Sequence, residues 1–222
     1  MNTGFAAASA LVAVAAAFLL YRLLHPASAF AASGDVGGGG TGEDSGDSSG
    51  SGAAKPAPSG VASQYDPLIL NAAHEAQIDP VLLKAICATE TGFRVDAINP
   101  EKDFTLNGVT YAQYDSEGQR LLVEWIKAGN DPASIGLNPS CGIAQVRVGN
   151  AKKFIQGLDA WDLFDPATCL EAAAFLIADD GTTVATADKY NVGAGLNWLR
   201  GVRNAAYQQK VADFYSRFAG DF

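Results

Sequence analysis

The chain is poor in the residues that metal and redox sites draw on. Its 222 residues include only 2 His and 3 Cys. Cys87, Cys141 and Cys169 show no metal-ligand spacing and no even framework. They read as three buried thiols, with one disulfide plus a free thiol as the alternative. His25 and His74 have no partner pattern, and His74 falls on a helix face that should be solvated. No metal and no cofactor are therefore expected. Positive charge is scarce too. The net charge is −9, and from Ser63 onward 13 Lys plus Arg stand against 20 Asp plus Glu. Phosphate binding needs a basic face, so nucleic acid is excluded as a partner. Arg147, Lys152 and Lys153 form a small basic group that reads as a solvated face. No internal repeat is visible.

What is present changes along the chain. From Gly4 to Tyr21 there is no charged residue. As a helix this run would be about 27–30 Å long, the thickness of a hydrocarbon core. Arg22 could snorkel to the interface, and Tyr21 suits that level. Ala27-Ser28-Ala29 has the small-x-small pattern of a signal-peptide cleavage site. The run is long for a signal core and no Lys or Arg precedes it, which favours a retained single-pass anchor. Residues 26–63 are small and polar, with Gly37 to Gly40 in a row and then Lys55-Pro56-Ala57-Pro58. Nothing there could bury enough apolar area to fold, so it reads as a flexible tether spanning about 30 Å. The expected organisation is an anchor over 1–25, a linker over 26–63 and a folded domain over 64–222.

The domain reads as mainly α. Leu68, Ile69, Ala72, Ala73 and Ala76 recur at helical spacing. Asp79-Pro80 reads as an N-cap followed by Pro at the first helical position, and Asp165-Pro166 repeats that signal. Asn107-Gly108, set between Thr105-Leu106 and Val109-Thr110-Tyr111, predicts a hairpin. Further helices are expected at about 116–128, 142–156, 166–179, 182–190 and 204–218.

Four stretches carry candidate chemistry. Asp79 to Ile86 leads into Glu90-Thr91-Gly92-Phe93. Next come Gly142-Ile143-Ala144-Gln145 and Tyr190-Asn191-Val192-Gly193, and then Tyr207 with Val211 in the last helical stretch. Together, in this order, they resemble the lysozyme-like lytic transglycosylases, which share a fold with goose-type lysozyme. That family's pattern is Glu-Ser at a helix end, Gly-Leu-Met-Gln, Ala-Tyr-Asn-x-Gly, and a late Tyr. The resemblance covers roughly residues 64–218. Thr91 replaces the usual Ser but keeps a hydroxyl, Ile143 and Ala144 replace Leu-Met, and Lys189 stands where Ala is usual. The separation of Glu90 from Gly142 exceeds the family's common spacing. The excess falls on residues 103–130, which are expected to rim a substrate groove.

The resemblance implies a lysozyme-like α+β fold and cleavage of peptidoglycan glycan strands between MurNAc and GlcNAc. Glu90 would be the single catalytic acid and base. Thr91, Gln145, Tyr190, Asn191 and Tyr207 would bind substrate, with Asn191 orienting the N-acetyl group. The product would be a 1,6-anhydro-MurNAc end. The residues agree in part. A Glu donates a proton near neutral pH only when its surroundings raise its pKa, and Ile86-Cys87-Ala88 before it and Phe93 after it are apolar. Most glycosidases also use a second carboxylate; Asp96 is the nearest in sequence and reads as a solvated turn residue. Trp125, Trp161 and Trp198 could stack on sugar, but read as packing residues. The rival readings are a muramidase that hydrolyses the same bond, a glycan-binding module without activity, and a structural membrane protein. The expected setting is a membrane-anchored protein of the bacterial envelope or of a bacteriophage virion membrane. Arg22, on the C-terminal side of the apolar run, leans toward a cytoplasmic or intravirion orientation.

Overall fold

The computed structural model describes residues 64–192 and 196–222. The apolar N-terminal run, the linker and Gly193 to Gly195 lie outside the described residues, and so does the expected membrane anchor. Among the described residues, no helix is long and apolar enough to cross a membrane.

The described region is mainly helical with two small sheets. Helix α1 spans Asp66–Ala76 and closes on Gln77 in the left-handed region, φ 56°. Helix α2 spans Pro80–Glu90. The Asp79 carboxylate accepts from the Val81 N–H at 2.9 Å, satisfying a first-turn donor as the Asp-Pro signal predicts. Every residue from Val81 to Thr89 is buried, because α2 is covered on all sides. Its neighbours include α1 and the last helix, α8, Ala205–Phe218. Lys84 lies within this core at 1% exposure. Its ammonium sits 2.6 Å from both Asp66 and Asp221 and over the Phe218 and Phe222 rings. A charge is tolerated there because it is paired on both sides.

Strands β1 (Ile98–Asn99), β4 (Ser140–Cys141) and β5 (Val146–Arg147) form an antiparallel sheet in the order β1-β4-β5. Strands β2 (Phe104–Leu106) and β3 (Val109–Tyr111) form the expected hairpin, with Leu106 opposite Val109. Asn107 and Gly108 turn it at φ 51° and 80°, the paired left-handed conformation of a tight two-residue loop. Helix α3, Ser116–Lys127, follows behind an Asp115 cap that accepts from Gly118 N–H at 2.6 Å. Leu122, Val123 and Ile126 are buried on its inner face.

Two expected helices are corrected. Residues 142–145 form a turn between β4 and β5, and helix α4 runs only from Val148 to Phe154. Gly142 and Gln145 have φ of 75° and 50°, which a right-handed helix cannot include. The stretch 182–190 divides into a 3-10 turn, Val184–Thr186, and helix α6, Asp188–Val192. Helix α5 (Pro166–Asp180) begins at the Asp165 cap as expected, and α7 (Leu196–Leu199) precedes α8. Cys87, Cys141 and Cys169 are all buried and free.

Candidate active site

Glu90 is the last residue of α2, and its geometry is set by how that helix ends. The Thr91 backbone leaves the helix, then Gly92 and Phe93 both turn through the left-handed region at φ 62° and 70°. The Thr91 hydroxyl donates to the Ile143 carbonyl at 2.7 Å and accepts from the Arg94 N–H at 3.2 Å. The helix end is thereby tied to the turn at 142–145, fifty residues further along the chain.

That turn is built so that only glycine fits its first position. A Cβ on Gly142 would lie 2.0 Å from the Leu163 carbonyl oxygen and 2.8 Å from Cys169 Sγ. The Gly142 N–H donates to Ala97 O at 2.9 Å. Gln145 closes the turn with its own side chain, donating from Nε2 to Ala97 O at 3.0 Å and Gly142 O at 3.1 Å. The Ala144 carbonyl accepts from the Tyr190 hydroxyl at 2.8 Å. Two successive carbonyls of the turn are thus held by hydroxyls from two different elements, Thr91 beyond α2 and Tyr190 in α6.

Tyr207, in α8, completes the arrangement. Its hydroxyl donates to Glu90 Oε1 at 2.7 Å. Asn204 caps α8 by accepting from the Tyr207 N–H at 3.1 Å, and its amide donates to Asn191 Oδ1 at 2.8 Å. Asn204 N–H in turn donates to the buried Asp188 at 3.1 Å. The four stretches singled out in the sequence therefore meet: Glu90 with Tyr207, Thr91 with Ile143, Tyr190 with Ala144. Asn191 joins through Asn204 and has an exposed side chain.

The electrostatics follow from burial. Desolvation pushes the Glu90 pKa up to about 7. The Tyr207 hydrogen bond and the nearby Lys210 ammonium oppose that rise, and the Glu101 charge adds to it. Tyr207 and Tyr190 are held well above the usual phenol range, first by burial and then by the Glu90 charge. Glu90 keeps part of its surface open to solvent even so. A carboxyl that holds its proton near neutrality and still reaches the surface can act as an acid toward an external substrate.

Several neighbours were not legible as site residues. Lys210 donates to Thr89 O at 3.1 Å, placing its charge beside the end of α2. Glu101 accepts from the Ser140 hydroxyl at 2.7 Å and forms an ion pair with Arg147. Arg147, Lys152 and Lys153 are all exposed, as a solvated face requires, and Arg147 in addition pairs with the Glu101 carboxylate. Asp96 is exposed and lines a cavity of about 380 Å³ between residues 94–98 and α3. The cavity adjoins the site through Ala97 and through Arg94, whose Nε donates to Thr91 O at 3.3 Å. Trp125 packs against the core, Trp161 is 37% exposed, and the Trp198 ring lies 3.5 Å from the Arg203 guanidinium. His74 is exposed. Among the described residues, no group of three or more His, Cys, Asp or Glu is placed to hold a metal.

No family model, no curated protein and no solved structure matches this chain. The functional reading therefore rests on the geometry and on the motif resemblance.

Proposed function

We propose that this protein is a peptidoglycan lytic transglycosylase with Glu90 as its acid and base. The observation that carries the reading is the Glu90 carboxyl itself. It is desolvated enough to be protonated near pH 7, bonded to Tyr207 at 2.7 Å, and framed by the turn that Thr91 and Tyr190 hold.

In this reaction Glu90 gives its proton to the glycosidic oxygen as the C1–O4 bond breaks, the bonding pair leaving with O4. The N-acetyl group of the MurNAc residue stabilises C1. The 6-hydroxyl of the same sugar then attacks C1 and returns its proton to Glu90. A 1,6-anhydro-MurNAc end forms, water is not consumed, and Glu90 is regenerated. Tyr207 steadies the carboxyl in both protonation states, because a phenol can donate to a carboxylate and to the carbonyl oxygen of a carboxylic acid. Asn191 accepts from Asn204 through its oxygen, which leaves its amide N–H groups to hold the substrate's N-acetyl carbonyl. No cofactor is needed for these steps.

The test is digestion of purified peptidoglycan by the full chain in detergent, with mass spectrometry of the released muropeptides. Anhydro ends, lighter than reducing ends by one water, support the transglycosylase. Reducing ends alone would replace it with a muramidase using the same acid, and binding without release would replace it with a glycan-holding module. The apolar run from Gly4 to Tyr21 and the linker after it suit an enzyme tethered to an envelope or virion membrane and opening the wall locally. Sequencing the mature N-terminus tests the tether, since a start at Phe30 refutes it.

A further inference from the structure

The two ends of an asparagine amide have the same shape, and only their partners tell oxygen from nitrogen. At Asn204 the partners settle it. Its side chain meets the backbone N–H of Tyr207 at 3.1 Å, and a backbone N–H can only donate, so the atom facing it is the amide oxygen. The Asn204 amide nitrogen is thereby turned the other way, where it lies 2.8 Å from the Asn191 side chain. A donating nitrogen requires an acceptor, so Asn191 faces Asn204 with its own oxygen. One backbone donor in α8 thus fixes two side-chain amides in succession. The Asn191 nitrogen is left on the far side of its amide, on a side chain that is exposed.

Asn204 is itself held. Its backbone N–H donates to Asp188 Oδ2 at 3.1 Å, and Asp188 is 0% exposed. Asp188 and Asn191 are three residues apart in α6, so they lie on one face of that helix and hold Asn204 by its backbone and by its side chain. Tyr207, whose N–H sets the order, is also the residue whose hydroxyl donates to Glu90 at 2.7 Å.

We propose that Asn204 is a positioning residue of the Glu90 site: it locks the Asn191 amide with its N–H groups outward, so that the site offers donors, and not an acceptor, to the acetamido carbonyl of the sugar. The inference rests on the reading of Asn191 as the group that holds the N-acetyl substituent. Asn204 acts on the substrate only through Asn191, by the direction of one hydrogen bond. Capping α8 does not by itself call for asparagine, since Ser and Asp cap a helix about as well. Of the three, only Asn spans both partners with an acceptor at one end and a donor at the other.

Asn204→Asp and Asn204→Ser both keep the cap and separate it from the orientation. The carboxylate of the first has no donor, so Asn191 must turn its nitrogen inward and leave its oxygen toward the substrate. The hydroxyl of the second is too short to hold Asn191, whose amide is then free to sit either way round. The full chain in detergent, labelled with nitrogen-15, reads the orientation by NMR, the Asn191 amide being the resonance lost in Asn191→Ala. In the wild type its protons should exchange freely with water; in Asn204→Asp one of them should move downfield and exchange more slowly. On peptidoglycan, kcat/KM on the plateau of the pH profile should fall about tenfold in Asn204→Asp and about twofold in Asn204→Ser, with both melting temperatures close to that of the wild type. An Asn191 amide signal that is unchanged in Asn204→Asp, or an Asn204→Asp variant as active as the wild type, overturns the proposal and leaves Asn204 as a helix cap. The NMR readout needs no turnover. If the wild type cleaves nothing, the enzymatic reading falls, while the amide signal still decides whether Asn204 sets the direction of Asn191.

Discussion

At the scale of single residues, the Glu90 proton links catalysis to stability. The folded protein holds this proton more tightly than the unfolded chain, where the group titrates near its ordinary value of 4.5. The contribution to folding is therefore fully present below about pH 4.5 and is lost as pH rises through about 7. Glu90→Gln cannot ionise, so it should abolish cleavage and yet be more stable than the wild type at pH 8, by about 3 kcal/mol. Urea denaturation at pH 8 and at pH 4 checks both halves, since the difference should vanish at the lower pH. Tyr207→Phe removes a hydrogen bond that favours the carboxylate form. The Glu90 pKa should rise above 7 in that variant, moving the alkaline limb of the pH–rate profile upward while the phenol's loss lowers kcat/KM. An alkaline limb that moves down would show that the tyrosine holds the acid form instead.

At the scale of elements, the turn at 142–145 is the joint on which the site depends. Gly142→Ala would force a Cβ to within 2.0 Å of a backbone oxygen in the segment at Leu163, which has no freedom to retreat as a side chain would. The left-handed φ adds strain to the clash. A loss of more than about 2 kcal/mol in stability is expected, with activity falling further than the fraction folded; thermal melting beside a rate measurement reads both. The same turn shows what the sequence did and did not disclose. Asp79-Pro80, Asp165-Pro166 and Asn107-Gly108 are local signals, and each produced the element it predicts. Gly142 to Val148 misled because Ile143, Ala144, Val146 and Val148 have helix-compatible spacing and are buried for a different reason. Ile143 and Ala144 lie in the tight turn, Val146 in a two-residue strand too short to show any alternation, and only Val148 opens a helix. Glu90, Tyr190 and Tyr207 could be singled out from motif order alone. Glu101 and Arg147 could not, because their meaning lies in a pairing across 46 residues that only the sheet register creates. Asn204 was equally silent, being one more polar residue before a helix until Asn191 is placed beside it.

At the scale of the whole molecule, the helix that presents Glu90 is held from behind by a buried cation. Lys84 joins Asp66 at the start of α1 to Asp221 after α8, so one side chain ties together the two helices that flank α2. Lys84→Met would leave two carboxylates, both partly open to solvent, facing each other without their cation and should cost about 1–3 kcal/mol. Changing Asp66 and Asp221 to Asn in that background should restore much of the loss, which chemical denaturation can follow. Because α8 also carries Tyr207 and Lys210, loosening the clamp should disturb the Glu90 titration as well as the melting temperature.

The three thiols offer a way to watch such loosening. Cys87 sits one turn before the acid, Cys141 immediately before Gly142, and Cys169 donates to the Cys141 carbonyl at 3.6 Å; all three are 0% exposed. An alkylating reagent meets none of them while the floor beneath the acid stays shut. Labelling kinetics, read cysteine by cysteine in a mass spectrometer, would therefore clock how often that floor parts, with no dye or engineered probe introduced.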